Sequence, residues 1–388
     1  MNKETFCLAP WYGICVDTDK KVSPCCKFKD RKKFSLEQIN EYWSSDVLLQ
    51  VRQDLLKGVK NKNCQACWDH EALGKGDSYR KISNRIMSMG IKKDLRKQLS
   101  DPKIENIVSF ELNLGNLCNL KCTFCDPTFS SQLLAETTAH PELYSRYGAE
   151  YDQKTFDWPK QQDFVEWCEK YLPQAVHIKF NGGEPFLIPW IPKVLDSIPD
   201  SLKSKCVLHF TTNLTTINDN LFSLFAKFKE VWLTISVEGT EDTHEYLRYG
   251  HSWSLFTKNI KKVLDKQIKN LYFSTNYVVQ APSYHSIMKM VKYFDALELK
   301  IFPILVTTHE HFHISALTKK AKLDFLDSTK NYNGHNTEFI NFVRSASEKY
   351  IEQDKALAKK CVQDLARLDH IRGNDYKKVI PAGYVSIE

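Results

Sequence analysis

Three cysteines at short spacing are the most chemically suggestive group in this sequence. They lie in Leu117-Cys118-Asn119-Leu120-Lys121-Cys122-Thr123-Phe124-Cys125, a C-x3-C-x2-C arrangement with an aromatic residue before the last cysteine. A loop of this size can place three thiolates around one iron–sulfur cube. Because such clusters are normally held by four cysteines, three ligands leave one iron open to a small molecule. Zinc is the alternative, although zinc knuckles favour paired C-x2-C motifs.

The elements that would position this loop are parallel β/α units. From about residue 105, short β-branched or aromatic runs alternate with helical stretches. The predicted strands are 107–113, 175–180, 205–211, 231–237, 271–279 and 299–306, and the predicted helices include 161–172, 218–229, 252–267 and 284–297. Barrels of parallel strands carry their chemistry at the carboxyl ends of the strands. We therefore expect polar or glycine-rich motifs directly after the strands.

Such motifs follow the second, third and fourth predicted strands. They are Asn181-Gly182-Gly183-Glu184-Pro185, Thr211-Thr212-Asn213 and Ser236-Val237-Glu238-Gly239. Two glycines let the backbone approach a ligand closely, and Glu184 can set the turn. Arg248 lies a short helix further on and can pair with a carboxylate. Ordinary capping of strand ends is the alternative for Asn213 and Ser236.

The cysteine loop and the glycine motif together resemble the radical S-adenosylmethionine (radical SAM) superfamily. The resemblance implies an α/β fold with a partial (β/α)6 TIM-like barrel, and a catalytic [4Fe–4S] cluster on Cys118, Cys122 and Cys125. It also implies reductive cleavage of S-adenosylmethionine (SAM) to a 5′-deoxyadenosyl radical, which abstracts a hydrogen atom from the substrate. The SAM-binding residues that it implies are Phe124, Gly182, Gly183, Glu184, Pro185, Asn213, Ser236, Glu238 and Arg248.

A second cysteine group lies near the amino terminus. Cys7, Cys25, Cys64 and Cys67 form the preferred four-thiolate site, with Cys15 and Cys26 as possible substitutes. This arrangement resembles the twitch or SPASM extensions of radical SAM enzymes, which carry an auxiliary [4Fe–4S] cluster. Lys20 stands where those extensions have a glycine, and here the extension precedes the barrel instead of following it. A structural zinc ion in the same ligands is the alternative.

Three regions are predicted. Residues 1–100 form the cysteine-rich extension, 101–315 the partial barrel, and 316–388 a helical region that closes one side of it and carries no identifiable chemistry. In the extension, Ser35 and Gln38 form a capping box for a helix that runs to Leu55 and stops at Gly58. After the last strand, His309-Glu310-His311-Phe312-His313 is interpreted as a surface loop or a substrate contact, with a metal site as the alternative.

Composition limits the location and the partners. The 388 residues carry 54 Lys and Arg and 47 Asp and Glu, a net charge of +7. The sequence has no signal-peptide pattern and no apolar run of membrane-spanning length, so we expect a cytoplasmic protein whose twelve cysteines serve metal ligation more than disulfides. The basic run Lys27, Lys29, Arg31, Lys32 and Lys33 is interpreted as a solvated face, or else as a contact for an acidic partner.

The resemblance predicts an oxidoreductase or maturase that oxidises or crosslinks a peptide, a protein side chain or a small molecule. The auxiliary cluster would accept an electron from the substrate radical, and a flavodoxin or ferredoxin would supply electrons to the SAM-binding cluster. A radical SAM modifier of a nucleobase or nucleic acid is the alternative enzyme. A zinc-bound interaction module is the alternative that is not an enzyme.

Overall fold

The computed structural model describes residues 4–30, 34–73, 77–88, 99, 103, 106–148, 150–160, 162–306 and 309–385. Arg31, Lys32 and Lys33 of the basic run lie outside these residues. Eight strands form one open sheet in the order β2-β1-β3-β4-β5-β6-β7-β8. The strands are β1 Gly13–Val16, β2 Val22–Ser23, β3 Ser109–Asn113, β4 His177–Asn181, β5 Val207–Thr212, β6 Glu230–Ser236, β7 Leu271–Val279 and β8 Ile301–Leu305.

The six strands predicted for the barrel are confirmed as β3 to β8. All neighbouring pairs among them are parallel, and the connections contain helices. The fold is therefore an α/β structure built on a parallel sheet that does not close, which agrees with the predicted partial barrel. Because the strands are parallel, the segments that follow them meet at one edge of the sheet.

The amino-terminal region contributes to the same sheet. β1 pairs in parallel with β3, from Gly13 opposite Ser109 to Val16 opposite Leu112, and β2 adds an antiparallel strand at the edge. This pairing joins residues far apart in sequence, which no local pattern can reveal. The cysteine-rich region is thus anchored to the barrel by main-chain hydrogen bonds next to the strand that leads into the cysteine loop.

The two faces of the sheet differ in polarity. On one face Phe110, Ile178, Leu208 and Val231 are fully buried in the main hydrophobic core with the helices. The opposite face carries a row of polar residues in register across three neighbouring strands, Glu111, Lys179 and His209. Since side chains alternate along a strand, this row is the interior of the open barrel.

α-Helices of at least five residues surround the sheet. They are Ile39–Trp43, Asp46–Lys57, Gln65–Ala72, Tyr79–Ser88, Ser131–Ala139, Gln162–Tyr171, Ile191–Asp196, Asp219–Phe225, Glu241–Leu247, Trp253–Leu264, Ile287–Ala296, Lys319–Ser328, Thr337–Lys349 and Lys355–Arg372, and the four-residue helices are Ala9–Tyr12, Tyr144–Tyr147 and Asp200–Lys203. None of the helices in the described ranges is long and apolar enough to cross a membrane.

The predicted helix near the amino terminus divides in two. The capping box of Ser35 and Gln38 is present, and Gly58 ends the second helix with φ +80° as predicted. Between them the chain leaves the helix at Ser44, and the Ser45 side chain accepts a hydrogen bond from Leu48 N. A serine in this role starts a new helix, which explains the break.

Candidate functional site

The loop after β3 gathers the three predicted cysteines. Burial raises the pKa of all three thiols, that of Cys118 to about 12. Proximity to the other thiols raises the pKa of Cys118 and Cys125 further. A thiol with a raised pKa becomes a thiolate when a metal cation supplies the compensating charge. Three converging sulfur donors fit an iron–sulfur cluster, and the pattern leaves one iron without a protein ligand.

Two helices hold the main chain of this loop. Lys121 N and Thr123 N donate to Tyr249 O and Leu247 O at 2.9 and 2.7 Å, beside the end of helix Glu241–Leu247. At the start of helix Ser131–Ala139, Ser131 Oγ accepts from Cys118 N at 3.2 Å. The loop geometry is therefore determined by two helices that follow it in the chain.

Arg248 reaches the loop from the helix end. Its Nε donates to Glu238 Oε2, and its Nη1 lies 3.9 Å from Cys122 Sγ. Its guanidinium also lies 5.7 Å from the centre of the Phe124 ring. The sequence predicted a carboxylate partner for Arg248, and the structure supplies it from the protein itself. Glu238 and Arg248 are both buried, so they form a compensated ion pair beside a cluster thiol.

Asn213 contacts the cysteine loop at the other side. Its Nδ2 lies 3.9 Å from Cys118 Sγ and donates to Asn119 Oδ1 at 3.2 Å. Its Oδ1 accepts from Thr215 N at 2.9 Å, so Asn213 also caps the strand end. We predicted a SAM contact, with capping of the strand end as the alternative. The geometry brings the Asn213 side chain to Cys118 of the loop, and its hydrogen bond to Thr215 N orders the turn after β5.

The glycine motif lies directly against the cysteine loop. Gly182 and Gly183 have φ angles of +73° and +56°, which side-chain-bearing residues rarely adopt. A Cβ atom on Gly183 would lie 2.3 Å from Leu117 O, and Glu184 N donates to the same oxygen at 2.7 Å. Glycine is thus required here by both conformation and close approach.

Glu184 sets the turn, as the sequence suggested. Its buried carboxylate accepts hydrogen bonds from Phe186 N at 3.0 Å, Thr212 Oγ1 at 2.7 Å and Asn213 N at 2.6 Å. Pro185 begins the short turn Pro185–Leu187. Burial raises the pKa of Glu184, and the three donors oppose that rise. The carboxylate therefore joins the ends of β4 and β5, while the backbone of the motif faces the loop.

The remaining predicted SAM-site residue, Ser236, ends β6 and is in register with Asn276 of β7. Both belong to the polar face of the sheet, next to Glu238. The ends of β3, β4, β5 and β6 thus place the predicted residues at one edge of the sheet, around the cysteine loop.

Several supporting residues could not be identified from the sequence. His309 Nε2 lies 3.0 Å from Cys125 O, and Arg146 donates to Thr123 O and, at 2.9 Å, to Asp364. Glu136 pairs with Lys121 of the loop and with Arg372. The histidine motif therefore contacts the cysteine loop through His309, and the Asp364 that binds Arg146 also binds His311. The helical carboxyl-terminal region supports the site as well.

The amino-terminal cysteines form a second group. Burial raises the pKa of Cys25, and the nearby thiols of Cys26, Cys67, Cys7 and Cys64 raise it further. Cys15 lies in β1, 3.7 Å from Asn113 Nδ2, and Cys26 N donates to Glu111. The structure thus brings the preferred four together, with Cys26 also beside Cys25, and places Cys15 in β1.

Helix Tyr79–Ser88 holds the segment around Cys7. Arg80 Nη1 and Asn84 Nδ2 both donate to Phe6 O, at 2.7 and 2.9 Å, and Asn84 Oδ1 accepts from Leu8 N at 2.7 Å. Lys20 has φ +66°, which explains why glycine is usual at this position in the similar extensions. In the ranges that the structure describes, no group of three or more His, Cys, Asp or Glu side chains has the spacing to hold a single metal ion.

Several solved structures are similar to this chain. Solved structures that resemble the chain include hexahistidine-tagged anSMEcpe with bound AdoMet (18% identity, 57% of this chain and 58% of that chain, TM-score 0.39). Native anSMEcpe with bound AdoMet gives 19% identity, 58% and 60% coverage, and a TM-score of 0.42. SuiB of Streptococcus suis bound to S-adenosylmethionine gives 17% identity, 79% and 66% coverage, and a TM-score of 0.39.

The chain spans 58% to 60% of the length of these two anSMEcpe chains. No curated protein sequence matches the chain at a significant level. The family model described as the radical SAM superfamily matches residues 112–294, a range that includes the cysteine loop and the glycine motif. This region of the chain, a little under half of its length, is similar to the radical SAM superfamily.

Proposed function

We propose that this protein is a radical SAM enzyme whose active site lies at the carboxyl ends of β3 to β6. The observation that carries the proposal is the convergence of the three loop thiols with Asn213 at Cys118 and Arg248 at Cys122. With a [4Fe–4S] cluster and SAM bound, the pair would supply a 5′-deoxyadenosyl radical for hydrogen abstraction.

The chain's own residues have three tasks in this proposal. Cys118, Cys122 and Cys125 hold the cluster. The backbone of Gly182 and Gly183, held against Leu117, offers N–H and C=O groups to SAM. Arg248 keeps a positive charge beside Cys122 and is itself balanced by Glu238. Ser236 and the main chain at Phe124 complete the SAM site.

The amino-terminal site is proposed to hold an auxiliary [4Fe–4S] cluster on Cys7, Cys25, Cys64 and Cys67. Four protein ligands leave no iron open, which favours an electron acceptor over a substrate-binding site. The buried cation Arg80 supports this role, because it is bound to Phe6 O next to Cys7 and opposes the rise in the pKa of Cys7, Cys64 and Cys67.

The proposed reaction is oxidation or crosslinking of a peptide or protein side chain, or oxidation of a small molecule. The resemblance of the amino-terminal cysteines to twitch and SPASM extensions supports this class. A flavodoxin or ferredoxin would donate the electron that SAM cleavage requires.

Metal analysis of anaerobically purified protein tests both sites. About eight iron atoms per chain, falling to about four when Cys118, Cys122 and Cys125 are replaced by alanine, would support two [4Fe–4S] clusters. Formation of 5′-deoxyadenosine from SAM and a reductant should disappear in the same triple variant. Absence of iron after anaerobic reconstitution would refute the radical mechanism. About four iron atoms with one zinc would make the amino-terminal site structural.

A nucleic-acid substrate is the second candidate, favoured by Lys27 and Lys29 beside the amino-terminal site. The logarithm of the affinity for a single-stranded oligonucleotide should then fall linearly with the logarithm of the salt concentration. Binding that does not depend on salt would argue against this substrate.

A further inference from the structure

A buried carboxylate lies between the two cysteine sites. Glu111 is the third residue of β3, only 4% exposed, and stands in register between Cys15 on β1 and Lys179 on β4. It lies on the polar face of the sheet, seven residues before Cys118 in the sequence. A buried carboxylate needs partners for both oxygens, and Glu111 finds them on two different parts of the molecule.

One oxygen binds the amino-terminal site. Glu111 Oε2 accepts from Cys26 N at 3.3 Å and from Tyr79 Oη at 2.9 Å. Cys26 directly follows Cys25. Tyr79 begins the helix whose Arg80 and Asn84 hold the main chain next to Cys7. A single oxygen thus contacts the elements that position two of the four amino-terminal cysteines.

The other oxygen binds the side of the SAM site. Glu111 Oε1 pairs with Lys179 Nζ at 3.2 Å and accepts from Asn181 Nδ2. Asn181 is the last residue of β4 and directly precedes Gly182 and Gly183, and the backbone of Gly183 lies against Leu117. A displacement of Glu111 would therefore move Asn181 and the start of the glycine motif with it.

The four donors account for the full capacity of the carboxylate. An ionised carboxylate has about four lone-pair positions, and it accepts here from Cys26 N, Tyr79, Lys179 and Asn181. Burial opposes ionisation, but Lys179 and the hydrogen bonds outweigh it and lower the pKa of Glu111 to about 2. Because every acceptor position is used, Glu111 positions its neighbours and does not contact a ligand itself.

We propose that Glu111 is a positioning residue that holds the amino-terminal cysteine site and the glycine motif in a fixed relation, so that its loss loosens both. Lys179 supplies the charge that keeps the carboxylate buried. The proposal rests on the proposed function in treating the four amino-terminal cysteines as a metal site and the glycine motif as part of the SAM site. It requires no particular metal there.

The test follows metal release from the amino-terminal site. All proteins carry alanine at positions 118, 122 and 125, so that bound metal reports on the amino-terminal cysteines alone. Metal release to EDTA under anaerobic conditions is compared between this parent and its Glu111→Gln variant. We expect release at least about tenfold faster for Glu111→Gln, because the loss of a group that orients metal ligands typically weakens binding 10- to 100-fold.

Asp295→Asn is the matched control. Asp295 also accepts from a tyrosine hydroxyl, an asparagine side chain and a backbone N–H, those of Tyr332 and Asn336, but it lies near the end of helix Ile287–Ala296 and its partners follow the last strand. Its variant should release metal at the rate of the parent. Equal release from the Glu111→Gln and Asp295→Asn variants would overturn the proposal.

A second measurement examines the other half of the proposal. With the three loop cysteines intact, SAM affinity measured by equilibrium dialysis should fall for Glu111→Gln and stay unchanged for Asp295→Asn. Unchanged SAM affinity would overturn the link to the glycine motif. If Glu111→Gln fails to fold because Lys179 is left unpaired, the double variant Glu111→Gln with Lys179→Met removes both charges and is measured instead.

The outcomes separate this proposal from the proposed function. Zinc in place of iron would refute the electron-acceptor role, yet zinc release would still test Glu111 in the same way. A parent protein that binds neither iron nor zinc would overturn this proposal and the auxiliary cluster, whereas the iron content of the wild-type protein tests the SAM-binding cluster separately.

Discussion

Arg248 connects the buried carboxylate of Glu238 to the thiol of Cys122, with Nε bound to Glu238 Oε2 and Nη1 3.9 Å from Cys122 Sγ. Burial raises the pKa of Cys122, and the guanidinium opposes that rise. Burial by itself would lower the pKa of Arg248, but the neighbouring Glu238 carboxylate has the larger effect and raises that pKa. The cation therefore stays charged next to a sulfur that must be anionic when it binds iron.

Replacing Arg248 by glutamine should destabilise the protein and weaken cluster binding. Glu238 would keep a buried charge without its cation, and breaking such a pair typically costs about 3–5 kcal/mol. We expect a loss of that order in the free energy of unfolding, measured by chemical denaturation, together with iron loss from the SAM-binding cluster. Arg367→Gln is the control, since Arg367 is exposed and binds Ser145. Similar stabilities of the two variants would contradict the pairing.

Replacing Gly183 by alanine should abolish SAM binding and displace the cysteine loop. The added Cβ would lie 2.3 Å from Leu117 O at a φ of +56°. Gly373 offers a matched control, because it has φ +66° and no atom within 4 Å of an added Cβ. Gly373→Ala carries the conformational strain alone, about 1 kcal/mol or somewhat more.

Equilibrium dialysis with SAM, together with denaturation curves, separates the two effects. Retained SAM affinity in Gly183→Ala would show that the close approach to Leu117 is not needed for binding.

The sequence revealed the strands and the reactive loop, because both are encoded locally. Alternating apolar residues predicted β3 to β8, and the spacing of three cysteines predicted the loop after β3. The partners of these residues could not be predicted in the same way. Asn213 meets Cys118 across 95 positions and Arg248 meets Cys122 across 126, so both contacts depend on how the strands assemble.

Distance along the chain also explains why the position of the amino-terminal strands was not predicted. β1 pairs with β3 across 96 positions, from Gly13 to Ser109, and only this pairing brings Glu111 between the two cysteine groups. Neither strand carries a motif that identifies the other as its neighbour. The place of Glu111 inside the apolar run of a predicted strand was the one sequence signal, since a charged residue that is buried there needs a partner.

Alanine at both Cys64 and Cys67 should remove the amino-terminal cluster and spare the other one. Burial and Cys67 together raise the pKa of Cys64 to about 12, which places these two thiols close together. Iron should fall from about eight to about four atoms per chain, and 5′-deoxyadenosine should still form from SAM. Cys26→Ala is the control, because the Cys26 thiol interacts with Glu111 and lies outside the preferred set of four. If Cys26→Ala lost as much iron as the double variant at Cys64 and Cys67, Cys26 would be a ligand of the amino-terminal cluster.

The stability of the protein should decrease as the pH is lowered from about 6.5 to about 4, in part through His177. Burial, with a smaller effect of Lys179, lowers the pKa of His177 to about 4 from an ordinary value of 6.5. Below pH 6.5 the unfolded chain therefore takes up a proton that the folded protein does not, and unfolding becomes easier until the folded pKa is reached. The shift corresponds to about 3 kcal/mol over that range.

Chemical denaturation of wild type and of the His177→Gln variant at pH 7.5, 5.5 and 4.5 gives the difference between their free energies of unfolding at each pH. Any loss of metal at low pH affects both proteins alike and cancels in this difference. The difference should favour wild type most at pH 7.5 and shrink toward pH 4.5, whereas His335→Gln, a variant of an exposed histidine, should follow the wild-type profile. A difference between wild type and His177→Gln that does not change with pH would show that His177 is protonated equally in both states.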